Sequence, residues 1–321
     1  MQRSLFRPRP TYAPFEYEQA YRYWERQQQS HWLHSEVSMA GDLADWTSGL
    51  TAADRQLVGH VLKGFTQSEV FIGEYWGSQV CRWFKKPEVQ MMASTFAAFE
   101  SIHAVSYAYL NQTLGLEDFD AFLYEPTAKA KIDRLVSTRG RSRHDVARSL
   151  AVFSAFNEGV SLFSSFAVLL NFSRFNRLKG VGQVIAFSVK DESLHSEAGC
   201  WLFRTVVEEH PEVMTAELSA DVEEAARLTV SLEDAFLERA FEHGAPEGLR
   251  IDDVKAFVRF RADTKLADLG LPAAFGVSAP DELAWFDVLT SGANHADFFA
   301  QRVTDYARGV ADFSGVWEDG K

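Results

Sequence analysis

The sequence predicts an all-α fold, a bundle of long helices around a buried polar centre, and three observations predict it. The nine prolines leave the intervals 15–86, 88–125 and 127–210 free of this helix-breaking residue. Within these intervals apolar side chains recur with the helical period, as at Phe96, Phe99 and Tyr107, which share one helix face. No segment sustains the alternating pattern that is typical of strands.

The composition indicates an acidic protein with ample material for a core. Of 321 residues, 46% are hydrophobic and 26 are phenylalanine, while the formal net charge is −13. This charge argues against a nucleic-acid surface, which needs a basic stripe, and disfavours anionic lipid. The two cysteines, Cys81 and Cys200, indicate no disulfide framework, and the first 19 residues contain no apolar signal-peptide stretch. We therefore expect a cytoplasmic protein.

Taken from its amino end, the chain divides into a Pro-rich start, helices separated by short breaks, and a tail. Residues 1–14 are expected to be extended, and breaks are expected at 47–49, 85–87, 137–142 and 244–246. We interpret residues 1–309 as one helical metal-binding domain. Residues 310–321, which combine Gly, Ser and acidic residues with two aromatics, are predicted to form a flexible tail.

One stretch, residues 149–175, is apolar and long enough to span a bilayer. Asn157 and Glu158 lie in its middle, and an unpaired carboxylate at bilayer depth is costly. A buried helix of a soluble bundle, with its glutamate neutralised by metal, explains the same residues better.

Two Glu-x-x-His pairs, Glu100/His103 and Glu192/His195, are the main chemical signal of the chain. Residues three apart on a helix lie side by side, so each pair presents a carboxylate and an imidazole together. Lone glutamates in two further apolar helical segments, Glu69 and Glu158, complete the ligand set of dinuclear carboxylate bundles. Four carboxylates in an apolar core need cations. Carboxylates and imidazoles together suit iron, manganese or zinc, and four carboxylates for two ions favour a redox-active pair. We expect two metal ions per chain, iron in both positions, with manganese–iron and manganese–manganese pairs as alternatives.

Tyr107 follows His103 by four residues, which places it on the ligand face one helical turn along. A tyrosine beside an oxygen-activating metal pair is positioned to be oxidised to a phenoxyl radical. Spacing alone leaves a second interpretation open, that of a core aromatic.

The segments FESIHAVSYAYL, SAFNEGVSLFSSFAVLLNF and VKDESLHSEAG resemble the radical-generating small subunit of class I ribonucleotide reductase. HWLHSEV near the start and NHADFFAQRVTDYARG near the end extend this resemblance over roughly residues 20–308. It implies a ferritin-like bundle, a homodimer, and a radical that is passed to a cysteine of a catalytic large subunit for ribonucleotide reduction. It also implies the metal ligands Glu69, Glu100, His103, Glu158, Glu192 and His195.

The resemblance further implies a radical site at Tyr107 and a hydrogen-bonded path through Asp191 and Trp32. On chemical grounds, the carboxylate of Asp191 is suited to accept the N–H of a metal-binding imidazole, and such a hydrogen bond fixes the orientation of the ring. The chain departs from many family members by having Glu69 where they have aspartate, and Leu162 and Ser188 where bulkier apolar residues are frequent. In the tail region Tyr306, then Trp317, are the candidates for a relay to the partner.

Two cysteines are too few for the thiyl radical and the reducing thiol pair, and no phosphate-binding P-loop motif occurs. The substrate is therefore expected on a separate large subunit, with residues 310–321 as its docking peptide. Two alternative functions remain open. A ligand-binding oxidase or monooxygenase on the same bundle requires a substrate tunnel near the metals, and a metal-storage protein requires a small shell-forming subunit.

Overall fold

The computed structural model describes residues 3–116, 123–136, 140 and 142–290, and in these ranges every regular element is helical. The α-helices are α1 Glu18–Gln29, α2 Ala40–Ala44, α3 Ala52–Glu74, α4 Cys81–Trp83, α5 Pro87–Thr113, α6 Pro126–Val136, α7 Arg143–Leu150, α8 Phe163–Arg174, α9 Lys179–Glu209, α10 Ala216–Ala240, α11 Ile251–Asp268 and α12 Ala284–Thr290. Three π-helical segments continue them, Asp45–Gly49 after α2, Tyr75–Val80 after α3 and Ala151–Ser161 between α7 and α8. The predicted all-α class is confirmed.

Four helical stretches form the centre of the bundle. Helix α3 packs against α5, α9 packs along the continuous helical stretch Arg143–Arg174, and α5 also contacts α9. Helix α1 covers α5 from outside, while α10 and α11 cover the Arg143–Arg174 stretch. The buried side chains between them are mainly aromatic and aliphatic, which is the apolar interior that the sequence pattern predicts.

Local sequence fixes where the central helices begin. Thr51 caps α3 by accepting a hydrogen bond from the backbone N–H of Asp54, whose carboxylate accepts the N–H of Thr51 in return. Helix α5 begins with Pro87, which is pre-organised for a first helical position. At α9 the carboxylate of Asp42 accepts the N–H groups of Gly180 and Val181.

The stretch Arg143–Arg174 is long and apolar enough to cross a membrane, but 94% of its most apolar window is buried inside the protein. It is the core helix that the sequence predicts. The prediction of regular α-helix was wrong over Ala151–Ser161, where the backbone is π-helical. The wider turn changes which side chains share a face, and apolar spacing alone does not report it.

The Pro-rich start is not extended as predicted, because residues 3–14 follow turns and bends against the bundle. Leu5 is buried, and its backbone N–H donates to Glu209 Oε2 at 2.7 Å. Two guanidinium nitrogens of Arg9 donate to the carboxylate of Glu88. The tail 310–321, Tyr306, Trp317 and most of the break at 137–142 lie outside the described residues.

Candidate metal centre

The six sequence-predicted ligands converge between the four central helical stretches. Helix α3 supplies Glu69, α5 supplies Glu100 and His103, the π-helical segment supplies Glu158, and α9 supplies Glu192 and His195. All six residues are buried, with at most 1% of each exposed.

These side chains form two overlapping groups of four, and within each group the possible ligand atoms lie within 4.8 Å of one another. Both groups contain Glu100 and Glu192. The first group is completed by Glu69 and His103, and the second by Glu158 and His195. Two carboxylates common to two adjacent groups are suited to bridge two cations. The arrangement is that of carboxylate bundles with a dinuclear centre.

Both imidazoles turn Nδ1 toward the carboxylates. His103 Nδ1 lies 3.0 Å from Glu100 Oε2 and 3.1 Å from Glu192 Oε1, and His195 Nδ1 lies 2.7 Å from Glu100 Oε1. The Nε2 atoms point outward, at 3.1 Å from Asp191 Oδ2 for His103 and 3.0 Å from Gln27 Oε1 for His195. Outer acceptors of this kind fix the tautomer and ring orientation of metal-binding histidines.

The donor atoms fit a pair of cations because protein partners leave them unsatisfied. Six carboxylate oxygens of the four glutamates, together with His195 Nδ1, are buried without a hydrogen bond of proper geometry. Within the described residues, the recorded ion pairs of these glutamates are with His103 and His195 alone. Buried charged groups of this number require cations, which two metal ions supply.

The pKa values of the cluster reflect the same crowding. Burial, followed by repulsion from neighbouring carboxylates, raises the pKa of Glu69 and of Glu158 well above the usual range, and the pKa of Glu192 is also raised. Burial acts in the same direction on Glu100, but His195 and His103 hold its pKa well below normal. Without metal, protons must therefore neutralise part of the cluster, and metal ions would displace them.

Tyr107 is fully buried one turn from His103, and its ring lies 6.2 Å from that imidazole, centroid to centroid. Phe65 stacks on it at 5.0 Å. Burial, then the charge of Glu69, raises the pKa of its phenol well above normal, while the Ser188 hydroxyl acts in the opposite direction. The phenol is thus held neutral in an apolar pocket that adjoins the Glu69 side of the cluster.

Trp32 and Asp191 also lie together, as the resemblance implies. The indole N–H of Trp32 donates to Asp191 Oδ2 at 2.8 Å, and both residues are buried. His103 Nε2 lies 3.1 Å from the same oxygen. The structure therefore joins a ligand imidazole, a carboxylate and an indole in one continuous contact, while their roles stay predictions.

Sequence reasoning missed two side chains at the centre, Gln27 and Trp76. Gln27 donates to Asp191 Oδ1 at 2.8 Å and accepts at His195, so it connects the surroundings of both ligand histidines. It lies in a run of three glutamines, and nothing in that run distinguishes it. Trp76 donates to Glu158 Oε1, and its spacing of seven from Glu69, two helical turns, was a usable signal.

The voids near the centre are small. Two of them, lined by Ser68, Lys131 and Leu162 among others, hold about 20 Å³ each, which is the space of about one water molecule. A larger cavity of about 800 Å³ lies between α3 and α10, and none of the six ligand residues lines it.

The chain is similar to known proteins over most of its length. The family model for ribonucleotide reductase, small chain, matches residues 9–282. The chain is 34% identical, over 98% of its length and 88% of the relative, to a probable ribonucleoside-diphosphate reductase small subunit of Invertebrate iridescent virus 3. It is 26% identical to the ribonucleoside-diphosphate reductase subunit beta of Chlamydia pneumoniae, covering 92% of this chain and 89% of that one.

Among solved structures, the dimanganese(II)-NrdF of Streptococcus sanguinis superposes with a TM-score of 0.76 at 21% identity. The match covers 89% of this chain and 99% of that chain. At this identity the likeness confirms the ferritin-like fold that the sequence predicts.

Proposed function

The chain belongs to the ribonucleotide reductase small-chain family, and we propose that it generates the radical with which a catalytic large subunit reduces ribonucleotides to deoxyribonucleotides. The observation that carries the proposal is the pair of overlapping ligand groups that share Glu100 and Glu192. It is joined to the buried contact of His103, Asp191 and Trp32. The alternative, a ligand-binding oxidase or monooxygenase, does not need that contact.

Two iron ions are the proposed occupants. Carboxylate and imidazole donors suit redox-active iron and manganese alike. A manganese–iron or dimanganese pair is the alternative. Glu69, Glu100, His103 and Glu192 would hold one ion, and Glu100, Glu158, Glu192 and His195 the other. When bound, such a pair supplies a strong one-electron oxidant after reaction with oxygen or superoxide.

Tyr107 is the proposed radical store. Its phenol would lose one electron to the loaded metal pair and its proton to the carboxylates on the Glu69 side of the cluster, and the resulting phenoxyl would stay in a fully buried pocket against Phe65. Exclusion of water and of other reductants from this pocket is what allows a radical to persist there.

Asp191 and Trp32 are the proposed path toward the partner. When the Trp32 indole loses an electron, its Nε1 proton can move along the 2.8 Å hydrogen bond to Asp191 Oδ2. The proton transfer prevents an uncompensated positive charge from forming in the core, which would be costly there. Gln27 holds the second oxygen of Asp191 and keeps the carboxylate in this orientation.

The partner is proposed to be the large subunit, bound through residues 310–321, and the small subunit is proposed to work as a homodimer. Cys81 and Cys200 are free thiols, which suits a reducing compartment such as the cytoplasm. A tail that orders on binding permits reversible association.

The proposal is tested by loading metal-free protein with iron, manganese or both, exposing it to oxygen and recording metal content and the electron paramagnetic resonance spectrum. A matched Glu158→Gln variant serves as the control. Two ions per chain, a radical or coupled-metal signal, and nucleoside diphosphate reduction with the cognate large subunit support it. Binding of no metal, or turnover of a small organic substrate without a partner, contradicts it.

A further inference from the structure

Trp76 makes a direct hydrogen bond to one of the proposed metal ligands. Its indole N–H donates to Glu158 Oε1 at 2.5 Å, and neither residue is exposed. Its ring meets Phe96 edge to face at 4.9 Å and lies 6.1 Å from the ring of His195. The indole therefore lies beside the ligand group that contains Glu158 and His195. The sequence-based prediction places no aromatic residue beside this group.

Secondary structure holds this indole in position. Trp76 lies in the π-helical segment Tyr75–Val80 that follows α3. The preceding residue, Tyr75, stacks on Phe153 with ring centroids 3.6 Å apart, and Phe153 lies in the same π-helical segment as Glu158. Two adjacent aromatic residues thus fix one π-helical segment against the other at the point where Glu158 enters the centre.

The hydrogen bond distinguishes Glu158 from Glu69, the two carboxylates that each belong to only one ligand group. At Glu158, Oε1 is engaged by the indole, and only Oε2 lacks a hydrogen bond. At Glu69, both oxygens lack one. Both oxygens of Glu69 are therefore free to turn toward a cation, whereas the indole fixes the orientation of the Glu158 carboxylate through Oε1 and leaves Oε2 as its unengaged oxygen.

We infer that Trp76 is a positioning residue which fixes the orientation of Glu158 through Oε1 and would thereby make the two metal positions inequivalent. The inference rests on the proposed dinuclear centre. An indole bonded to an arbitrary core acceptor would satisfy its N–H without affecting metal binding. A bond to a ligand oxygen constrains the ligand itself, as hydrogen bonds to ligating carboxylates do elsewhere.

The test is a titration of metal-free Trp76→Phe with Mn²⁺, in which the electron paramagnetic resonance signal of unbound Mn²⁺ reports the free concentration. We expect the first ion to bind as in the wild type and the second to lose about 10- to 100-fold in affinity. Trp83→Phe is the matched control, because Trp83 is also buried but its indole donates to the backbone oxygen of Gly140. This control should bind both ions as the wild type does.

A second variant separates the hydrogen bond from the packing of the ring. Replacement of Trp76 by 3-benzothienylalanine keeps the bicyclic shape and has sulfur in place of the N–H, so the packing is kept, the donor is lost, and the binding of the second ion should still be weakened. Wild-type binding in this variant, or equal weakening of both ions, overturns the inference. Failure of the wild type itself to bind two ions would instead contradict the proposed function.

Discussion

Trp32 and Asp191 are 159 positions apart in the sequence, yet a hydrogen bond of 2.8 Å joins the indole N–H to Asp191 Oδ2. The same oxygen lies 3.1 Å from Nε2 of His103. One carboxylate oxygen thus contacts both the indole of Trp32 and the imidazole of His103, a proposed ligand. A proton bound at this oxygen would change the hydrogen bonding of both rings. This contact is consistent with the proposed role of the three side chains in moving an electron together with a proton.

Trp32→Phe should therefore separate assembly of the centre from its use. The phenyl ring fills most of the space but has no N–H, so metal content and any radical on Tyr107 should stay at wild-type levels. Reduction of nucleoside diphosphates with the large subunit should fall to background. Trp24→Phe, on the outward part of α1, is the control. Turnover of Trp32→Phe near the wild-type rate would exclude Trp32 from the path.

Tyr107→Phe should leave metal binding intact and abolish any tyrosyl radical signal. Tyr107 is buried, and the substitution removes only the phenolic hydroxyl, which has no hydrogen-bond partner of proper geometry among the described residues. The measurement is metal content together with the electron paramagnetic resonance spectrum after exposure to oxygen. If the wild-type radical signal survives in the variant, the radical lies elsewhere.

The parts of the centre that could be predicted from sequence are those fixed by local spacing. Glu100 and His103 share a helix face because they are three residues apart, and the same holds for Glu192 and His195. Gln27 could not be assigned, since its contacts depend on how α1 packs against the other helices. The spacing of Trp76 from Glu69 indicates a shared helix face, but its contact with Glu158 depends on how the segment after α3 packs. The π-helical backbone around Glu158 likewise arises from tertiary packing, because its sequence suits an ordinary α-helix equally well.

The stability of the metal-free protein should fall as pH rises. Burial and like charges raise the pKa of Glu69 and Glu158 above the usual value of 4.5, so above that value the folded chain keeps protons that the unfolded chain has lost. Under this condition the free energy of unfolding decreases with pH. His103 contributes in the same direction. Burial lowers the pKa of its imidazole, but hydrogen bonds to Asp191, Glu100 and Glu192 outweigh burial and raise the pKa above normal.

Urea unfolding of the metal-free protein between about pH 5 and pH 8 checks this dependence. Glu158→Gln removes one of the raised carboxyls, so its pH dependence should be shallower and its stability at the upper end should exceed that of the wild type. The same variant should bind metal more weakly, because it loses an anionic ligand. A stability that rises with pH in the wild type would contradict the raised pKa values.

Glu88→Gln should destabilise the protein, because Glu88 of α5 binds the chain start at Arg9, Glu16 and Tyr17. These contacts are called the clasp below. The Glu88 side chain is fully buried and accepts two hydrogen bonds from Arg9 and the backbone N–H groups of Glu16 and Tyr17. The substitution leaves Arg9 without its closest charge partner, although Glu16 stays at 3.7 Å. We expect a loss of about 3 kcal/mol in the free energy of unfolding, the lower end for breaking a buried pair.

Urea unfolding of Glu88→Gln beside Glu18→Gln measures this loss. Glu18 pairs with Arg22 on the exposed face of α1, so its substitution should leave the unfolding midpoint unchanged. Equal midpoints for the two variants would mean that the clasp adds nothing to stability.

Deletion of residues 310–321 should abolish binding to the large subunit and reductase activity while the metal centre still forms. The proposed ligands lie between Glu69 and His195, and the described residues alone complete both groups of four. Metal content, the radical signal and binding to the immobilised large subunit are the three measurements. A synthetic peptide of residues 310–321 should compete with the full-length chain, and a peptide of the same composition in scrambled order is the control. Undiminished binding of the shortened chain would locate the docking surface on the helical domain instead, because a segment that contributes binding energy cannot be removed without raising the dissociation constant.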